Sequence, residues 1–328
     1  MSSKKRIVSG MRPTGALHLG NFHGALKNWI QMQEDYDCFF FVADWHALTS
    51  DYENPSYIKE FSRKMMIDWL GAGLSPEKST LFIQSHIPEH AELFLLLSMI
   101  TPVPWLERNP TYKEQIAELQ NKDLSTFGFL GYPILQAADI IIYKAEGVPV
   151  GVDQSPHIEI TREIARRFNY LYKPVFPEPA TILTESAKIL GTDRRKMSKS
   201  YDNAIFLSDP PEAIRKKVAT MITDPQRIKK SDPGDPDVCN VYSFHQMYSS
   251  PELTETVNRE CRQAEIGCVA CKKKMAESLI AGLAPIREAT DYYHAHPQIV
   301  DDIIDRGNKA AAAQAGQTLD EVRAALKI

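Results

Sequence analysis

Apolar and polar positions along the first half of the chain change period block by block, from the two-residue alternation of strands to the helical repeat and back. Residues 6–9 (Arg6-Ile-Val-Ser) predict a short strand, closed by Gly10 and a turn at Pro13 and Gly15, and residues 18–31 predict a helix. An apolar run over 38–44 predicts a second strand, 55–70 an amphipathic helix, and 80–84 a third strand. Strand and helix in alternation give an α/β fold with a parallel sheet. From 88 to 145 the pattern is mainly helical, broken at Pro102, Pro104, Pro110, Gly128 and Gly131, and reads as an insertion at about 86–131 between two sheet halves. A strand at 149–153 and a helix at 156–169 resume the alternation, and the sheet region is expected to end near Ile189.

The rest of the chain is helical in pattern. A polar loop at 191–200 precedes a helix at 211–221, and a connector rich in Pro, Asp and Gly spans 224–237. Helices are predicted at 252–264, 271–281 and 286–293, with one or two closing helices in the last 28 residues. The expected division is a Rossmann-type sheet domain over 1–190, an all-helical domain over 191–300, and a C-terminal helical segment over 301–328 that packs back on the first.

Composition narrows the class. With 328 residues, 43% hydrophobic and 24% charged, the chain has ample material for a large core, which excludes disordered, collagen-like and coiled-coil proteins. No apolar stretch of signal-peptide length follows the first basic residues, because Arg12 and Pro13 interrupt it. The longest apolar runs fall far short of the roughly 20 residues of a membrane span, so a cytoplasmic protein is expected. The net charge of −4 excludes a globally basic nucleic-acid binder. Residues 188–274 nevertheless hold 16 basic and 12 acidic side chains, which leaves room for a local polyanion contact.

Cys38 lies in an apolar run and reads as core, whereas Cys239, Cys261, Cys268 and Cys271 fall within 33 residues and end in Cys-x-x-Cys. Clustered cysteines of this kind point to metal before disulfides. On spacing alone zinc and an iron–sulfur cluster stand equal.

Two segments carry phosphate chemistry. In Thr14-Gly15-Ala16-Leu17-His18-Leu19-Gly20-Asn21, set between strand and helix, Gly20 lets a ligand approach the backbone, and His18 and Asn21 offer donors to phosphate oxygens. A plain strand–turn–helix corner capped by Asn21 would read the same. In Lys196-Met197-Ser198-Lys199-Ser200, preceded by Arg194 and Arg195, two lysines three residues apart can neutralise a departing pyrophosphate; a solvated basic loop is the bland alternative.

Taken together, His18-Leu-Gly-Asn21 and Lys196-Met-Ser-Lys-Ser200 resemble the paired signature of class I aminoacyl-tRNA synthetases. Tyr132-Pro-Ile-Leu-Gln-Ala-Ala-Asp139, Gly151-Val-Asp-Gln154 and the segment from His157 to Asn169 resemble the tryptophanyl members of bacterial type, over most of the chain. The resemblance implies activation of L-tryptophan by ATP with Mg2+, transfer to tRNA(Trp), and a homodimer joined through the inserted segment, where residues 93–100 and Trp105 supply apolar side chains for either the interface or the core. It makes His18, Asn21, Lys196 and Lys199 the catalytic set. It puts Arg12, Pro13, Thr14, Gly20, Gly151, Val152, Asp153, Ile189, Met197, Ser198 and Ser200 at ATP. Asp139, His46, Tyr132, Gln136 and Gln154 fall at tryptophan. Asp139 stands alone on an apolar helix, where a buried carboxylate needs a partner, and an indole N–H is a donor-only group that suits it. Many bacterial members carry Gln-Pro-Ser where this chain has Arg12-Pro13-Thr14, so Arg12 adds a charge, either as a phosphate clamp or as a change to the amino-acid pocket. The cysteine pattern is similar to that of a subset of these enzymes with a 4Fe–4S cluster in the anticodon-binding domain. The implied role is structural, presenting Arg259, Arg262, Lys272, Lys273 and Lys274 to the anticodon. A tyrosyl-specific enzyme and a nucleotidylyltransferase that needs no tRNA are the rival readings.

Overall fold

The computed structural model describes residues 4–109, 112, 123–184 and 189–328. Five parallel strands form one sheet in the order β3-β2-β1-β4-β5, with β1 at Arg6–Met11, β2 at Asp37–Val42, β3 at Ser79–Ile83, β4 at Gly147–Val150 and β5 at Ala180–Leu183. The central strands are buried on both faces, as crossover helices require: Ile7, Val8, Phe40, Val42 and Phe82 are inaccessible to solvent. Gly10 pairs with Phe41, whose ring stands 2.5 Å from where a Cβ at residue 10 would be, so only glycine fits there.

The strand order reverses between β1, which pairs with β2 on one side, and β4 on the other. In open α/β sheets ligands bind beyond the carboxyl ends of strands at such a reversal. Arg12-Pro13-Thr14 leave the end of β1, and Gly151-Val152-Asp153 leave the end of β4.

The helices are α1 (Leu19–Asn21), a π-helical stretch at Phe22–Leu26, α2 (Lys27–Met32), α3 (Asp44–Asp51), α4 (Ile58–Ala72), α5 (Glu89–Ser98), α6 (Val103–Glu107), α7 (Phe127–Ile141) and α8 (Ser155–Leu171). They continue with α9 (Pro211–Thr220), α10 (Asn240–Tyr248), α11 (Pro251–Arg262), α12 (Cys268–Ala295) and α13 (Pro297–Leu326).

Several expected boundaries move. Gly128 and Gly131 lie inside α7 rather than breaking it, and Pro133 is accommodated in the same helix. Gly131 brings the Phe94 ring within 3.4 Å of its missing Cβ, so it serves close packing. The helices expected at 271–281 and 286–293 are one element, α12, which continues through Pro285 because Leu279, Leu283 and Thr290 stay buried across it. Helix α10, β5 and the π-helical stretch had no counterpart in the pattern, and the break expected at Pro110 lies outside the described residues. Of the apolar run at 93–100, Leu93 and Leu97 are core and Leu95 and Met99 are exposed, as are Val103 and Phe127 nearby.

The chain divides into two compact units. One comprises Met1–Gly15, Lys27–Glu185 and His296–Ile328, the other Ala16–Leu26 and Ser186–Ala295. Within the first, α13 runs along the open edge of β3: the Asn308 Oδ1 accepts the Ile83 N–H at 3.1 Å, which protects an edge that would otherwise pair with another chain. The second is helical, with Ile214, Val218, Phe244, Val257, Met275 and Leu279 at its centre.

Candidate active site

Helix α7 places Tyr132, Gln136 and Asp139 at i, i+4 and i+7, one face of the helix. Asp139 is fully buried, and four contacts fill its carboxylate. Gln84 Nε2 donates to both oxygens at 2.9 and 2.8 Å, His90 Nδ1 lies 2.6 Å from Oδ1, and His46 Nε2 lies 2.8 Å from Oδ2. Burial alone would raise the carboxyl pKa, but the hydrogen bonds from His46 and His90 outweigh it and hold it at about 2. A carboxylate offers only acceptors, so both imidazoles present N–H to it. Gln84 is fixed in turn by accepting the Trp45 N–H at 3.1 Å, and His90 Nε2 meets the Tyr143 hydroxyl at 2.6 Å. Gln84, His90 and Tyr143 were not anticipated from the sequence. Gln84 directly follows the apolar run of β3, which is its only signal, whereas His90, between Glu89 and Glu92 in the first turn of α5, carries none.

Tyr132 and Gln154 are joined through a further unanticipated residue, His157, whose Nε2 lies 2.9 Å from the Tyr132 hydroxyl and whose Nδ1 lies 3.1 Å from Gln154 Oε1. Tyr132 is buried and its phenol pKa is raised by that burial, with the Arg12 charge acting in the opposite direction. Arg12 is exposed and also acts on Tyr57, so it lies among the tyrosines of this unit. Gln136 is partly exposed, Val152 is 73% exposed, and the side chain of Asp153 lies outside the described residues. An apolar cavity of about 400 Å3 is lined by Trp45, Leu48, Tyr52, Phe94 and Leu135, the last of these one helical turn from Asp139.

The phosphate motifs both belong to the other unit. His18 caps α1 reciprocally with Asn21: the Asn21 N–H donates to His18 Nδ1 at 3.2 Å, and the His18 N–H donates to Asn21 Oδ1 at 3.1 Å. With Nδ1 used as acceptor, the neutral ring carries its proton on Nε2 and is a donor there. Burial first and the Lys199 charge second lower its pKa to about 4, so the ring is neutral at pH 7. Gly20 is tight against this ring, 2.9 Å from its missing Cβ. The strand-like segment around His18 pairs with Phe206, through Leu19 N–H to Ile205 O and Leu207 N–H to Leu17 O, both 2.9 Å.

The lysine loop is a hairpin built on Asn203, a buried residue that was not singled out from the sequence. Asn203 Oδ1 accepts the Ser198 N–H at 2.8 Å, and its Nδ2 donates to Asp193 at 2.7 Å and to the Lys196 carbonyl at 3.2 Å. Gly191 permits this, since a Cβ there would lie 2.2 Å from Asn203 Cγ. Met197 is buried with its N–H on the Ile189 carbonyl at 3.1 Å, and Ile189 is buried too. Ser198 and Ser200 bond to each other at 2.8 Å, and Lys196 is exposed.

Among the described residues no three His, Cys, Asp or Glu side chains stand as a metal-holding group, so the expected closed four-cysteine site is not seen. The four thiols are nevertheless within electrostatic range of one another: burial, then Cys239, Cys261 and Cys268, push the Cys271 thiol up to about 12. Polar groups are aimed at the sulfurs. Arg227 Nη1 donates to Cys261 Sγ at 3.6 Å while its buried Nε has no partner among the described residues, and His245 Nε2 lies 3.5 Å from Cys271 Sγ. Gly234 leaves room beside Cys261, whose sulfur would lie 2.6 Å from a Cβ there. As a donor set these residues fit a thiolate-bound group. Of the basic side chains nearby, Arg262 pairs with Asp237 at 2.8 Å, Lys274 with Glu260 at 3.6 Å, and Lys272 donates to the Ala219 carbonyl at 2.9 Å. Arg259 and Lys273 are exposed without an ion pair among the described residues, and Arg259 borders an open cavity of about 720 Å3 with Tyr242, Gln246 and Asn258.

The model of the class I tRNA synthetases for tryptophan and tyrosine matches residues 2–284. The chain is 54% identical over 325 residues to the tryptophan–tRNA ligase of Thermotoga maritima, covering 98% of this chain and 99% of that one. It is 41% identical over 323 residues to the tryptophan–tRNA ligase of Deinococcus radiodurans, covering 97% of each. Among solved structures, the tryptophanyl-tRNA synthetase of Campylobacter jejuni complexed with ADP and tryptophan superposes with a TM-score of 0.91 at 30% identity, over 98% of this chain and all of that one. Among the described residues no helix is long and apolar enough to cross a membrane.

Proposed function

The chain belongs to the class I tryptophanyl-tRNA synthetases, and on that premise we propose how its residues divide the work. It acts as a tryptophan–tRNA ligase, whose partners are tryptophan, ATP and tRNA(Trp). The tryptophan carboxylate attacks the α-phosphorus of ATP, its new bond to phosphorus forming as the bond to pyrophosphate breaks. The adenylate then passes its acyl group to a ribose hydroxyl of the tRNA and releases AMP. The carboxylate is already ionised at pH 7, so the first step needs no general base, and catalysis is positioning together with stabilisation of charge.

His18 Nε2–H and Asn21 serve the phosphates as neutral donors, and Lys196 and Lys199 take the charge of the departing pyrophosphate, with Mg2+ brought by ATP. Arg12, Pro13, Thr14 and Gly20, with Gly151, Val152, Asp153, Ile189, Met197, Ser198 and Ser200, line the nucleotide. The observation that carries this assignment is that the His18 segment pairs with the chain just beyond the lysine loop, through Leu19 N–H to Ile205 O and Leu207 N–H to Leu17 O at 2.9 Å, although the two are far apart in sequence. Asp139 accepts the indole N–H at the place His46 Nε2 holds, since His46 is the one partly exposed donor around it, at 13%. Tyr132, Gln136 and Gln154 face the rest of the amino acid.

Cys239, Cys261, Cys268 and Cys271 hold a 4Fe–4S cluster, with zinc as the alternative; when bound it supplies four metal–thiolate links that tie the 224–237 connector to α11 and α12. Arg259 and Lys273 then meet anticodon phosphates or bases, where Tyr242 offers a ring for stacking. The exposed Leu95, Met99, Val103 and Phe127 form the homodimer contact, and the working place is the cytoplasm.

The test is tryptophan-dependent ATP–pyrophosphate exchange on anaerobically purified protein, with tyrosine as control and iron and zinc assayed on the same sample. Exchange with tryptophan alone and about four irons per chain supports the reading. Exchange driven by tyrosine overturns the assignment of Asp139, and zinc in place of iron overturns the cluster alone.

A further inference from the structure

Asp139 is surrounded by hydrogen-bond donors that differ in freedom. Gln84 and His90 have no solvent exposure, whereas the His46 side chain is 13% exposed. Gln84 is anchored by the Trp45 N–H at 3.1 Å. His90 has a second ring nitrogen, and what that nitrogen meets decides whether Nδ1 carries a proton. The Tyr143 hydroxyl, itself inaccessible, stands 2.6 Å from Nε2. If Nε2 held the ring proton, a bare Nδ1 lone pair would face the Asp139 carboxylate at 2.6 Å, acceptor against acceptor. With a single ring proton, the phenol donates to Nε2, which leaves that proton on Nδ1 and makes Nδ1–H a donor to Oδ1. The chain Tyr143 O–H to His90 to Asp139 runs in one direction, and none of its members beyond Asp139 has a part in the chemistry described above.

We propose that His90 and Tyr143 are a positioning pair for tryptophan recognition: Tyr143 sets the His90 tautomer, and His90 locks Asp139 Oδ1 so that Oδ2 is the oxygen left to exchange its donor for the substrate N–H. The inference rests on Asp139 being the acceptor of that N–H. It accounts for two buried polar side chains in the middle of an aromatic cluster with Phe39, Phe41 and Phe82, where apolar residues would pack without a partner to satisfy. It also separates the donors by role. Gln84 and His90 stay, and His46 yields.

The experiment measures KM and kcat for tryptophan, KM for ATP, and the preference for tryptophan over its benzothienyl isostere, which has sulfur in place of N–H, in pyrophosphate exchange. The variants are Tyr143→Phe, His90→Leu, His90→Asn and Asp139→Asn. His90→Leu is expected to raise the tryptophan KM about 10- to 100-fold, the range for losing a hydrogen bond to a charged group, with the ATP KM within about twofold. His90→Asn, whose amide N–H reaches the place of Nδ1–H, restores most of that loss. Tyr143→Phe keeps the ring and removes one O–H, and is expected to raise the tryptophan KM about 3- to 10-fold and to reduce the preference over the isostere. An unchanged tryptophan KM and preference in Tyr143→Phe overturns the proposal, as does an equal rise in the tryptophan and ATP KM values in His90→Leu, which would mark a merely structural role. Should His90→Leu not fold, Tyr143→Phe and His90→Asn decide. If Asp139→Asn leaves the preference over the isostere untouched, the assignment of Asp139 falls first and the positioning role with it, an outcome distinct from an Asp139 effect with silent Tyr143.

Discussion

Replacing Gly307 by alanine probes the contact between α13 and the edge of the sheet. A Cβ at residue 307 would stand 1.7 Å from the Leu81 carbonyl oxygen and 2.7 Å from its carbon. Unbonded carbon and oxygen meet at about 3.3 Å at closest, so the methyl demands roughly 1.5 Å of retreat. Leu81 cannot supply it, being held within β3 in register with Phe40. The helix must lift instead, and with it Asn308, which covers the Ile83 N–H, and Ala311, Ala315, Leu319 and Val322, all buried in the core. Overpacking of this size costs about 3 kcal/mol, and in a chain of this length that lowers Tm by roughly 4 °C. Gly316 lies on the same helix with nothing within 4 Å of its missing Cβ. Gly316→Ala is therefore expected to stabilise by up to about 1 kcal/mol, because alanine is the better helix former. Thermal unfolding of the two variants beside the wild type is the assay. If Gly307→Ala melts within a degree of the wild type, or if the two variants shift in the same direction, the reasoning from the close contact is refuted.

The other expectations concern the phosphate motifs and the cysteines. Asn203→Ala removes three hydrogen bonds that shape the lysine loop, and is expected to lower kcat of pyrophosphate exchange by about 10- to 100-fold with little change in the tryptophan KM; Gly191→Ala, which drives a methyl into Asn203, should reproduce it. Because the folded His18 has a pKa of about 4 against 6.5 in the unfolded chain, the unfolded state binds more protons between those values. The stability tied to His18 is thus complete above pH 6.5 and drains away as pH falls towards 4, so the urea midpoint should drop less from pH 7 to pH 5 in His18→Gln than in the wild type. Cys271→Ser should lower bound iron or zinc, read by elemental analysis, while tryptophan activation measured without tRNA stays within about twofold.

Legibility in the sequence followed the physics of each feature. The parallel sheet was readable because doubly buried strands such as Phe39-Phe-Phe-Val42 need continuous apolar runs, and the phosphate motifs because short loops next to strands keep their order in the chain. Helix α10 was missed because its Asn240-Val-Tyr-Ser-Phe-His pattern is too short to show a period. Gly131 and Pro285 misled in the opposite sense, since tertiary packing on Phe94, Leu279 and Leu283 outweighs a local helix penalty of roughly one to three kcal/mol at such positions, about the contribution of one buried side chain. Asn203 was invisible for a different reason: its role depends on Gly191 and Ser198 coming close, which only the closed hairpin brings about.

Asp139 shows how far local reasoning reaches. A lone carboxylate on the apolar helix α7 announced that partners must exist, because burying it bare is prohibitive, but it did not say which. An arginine would have answered the demand and neutralised the charge. The partners are instead an amide and two imidazoles, drawn from the residue after β3, from α3 and from α5, and that difference has a chemical consequence. With its carboxyl pKa held at about 2, Asp139 is a charged acceptor at neutral pH. Under the proposed assignment, an incoming indole N–H that replaces His46 keeps all four contacts filled. Phenylalanine, which has no donor, would have to leave one contact to water or empty, and a buried polar group left unpaired in this way is the form of discrimination that reaches beyond what shape alone provides.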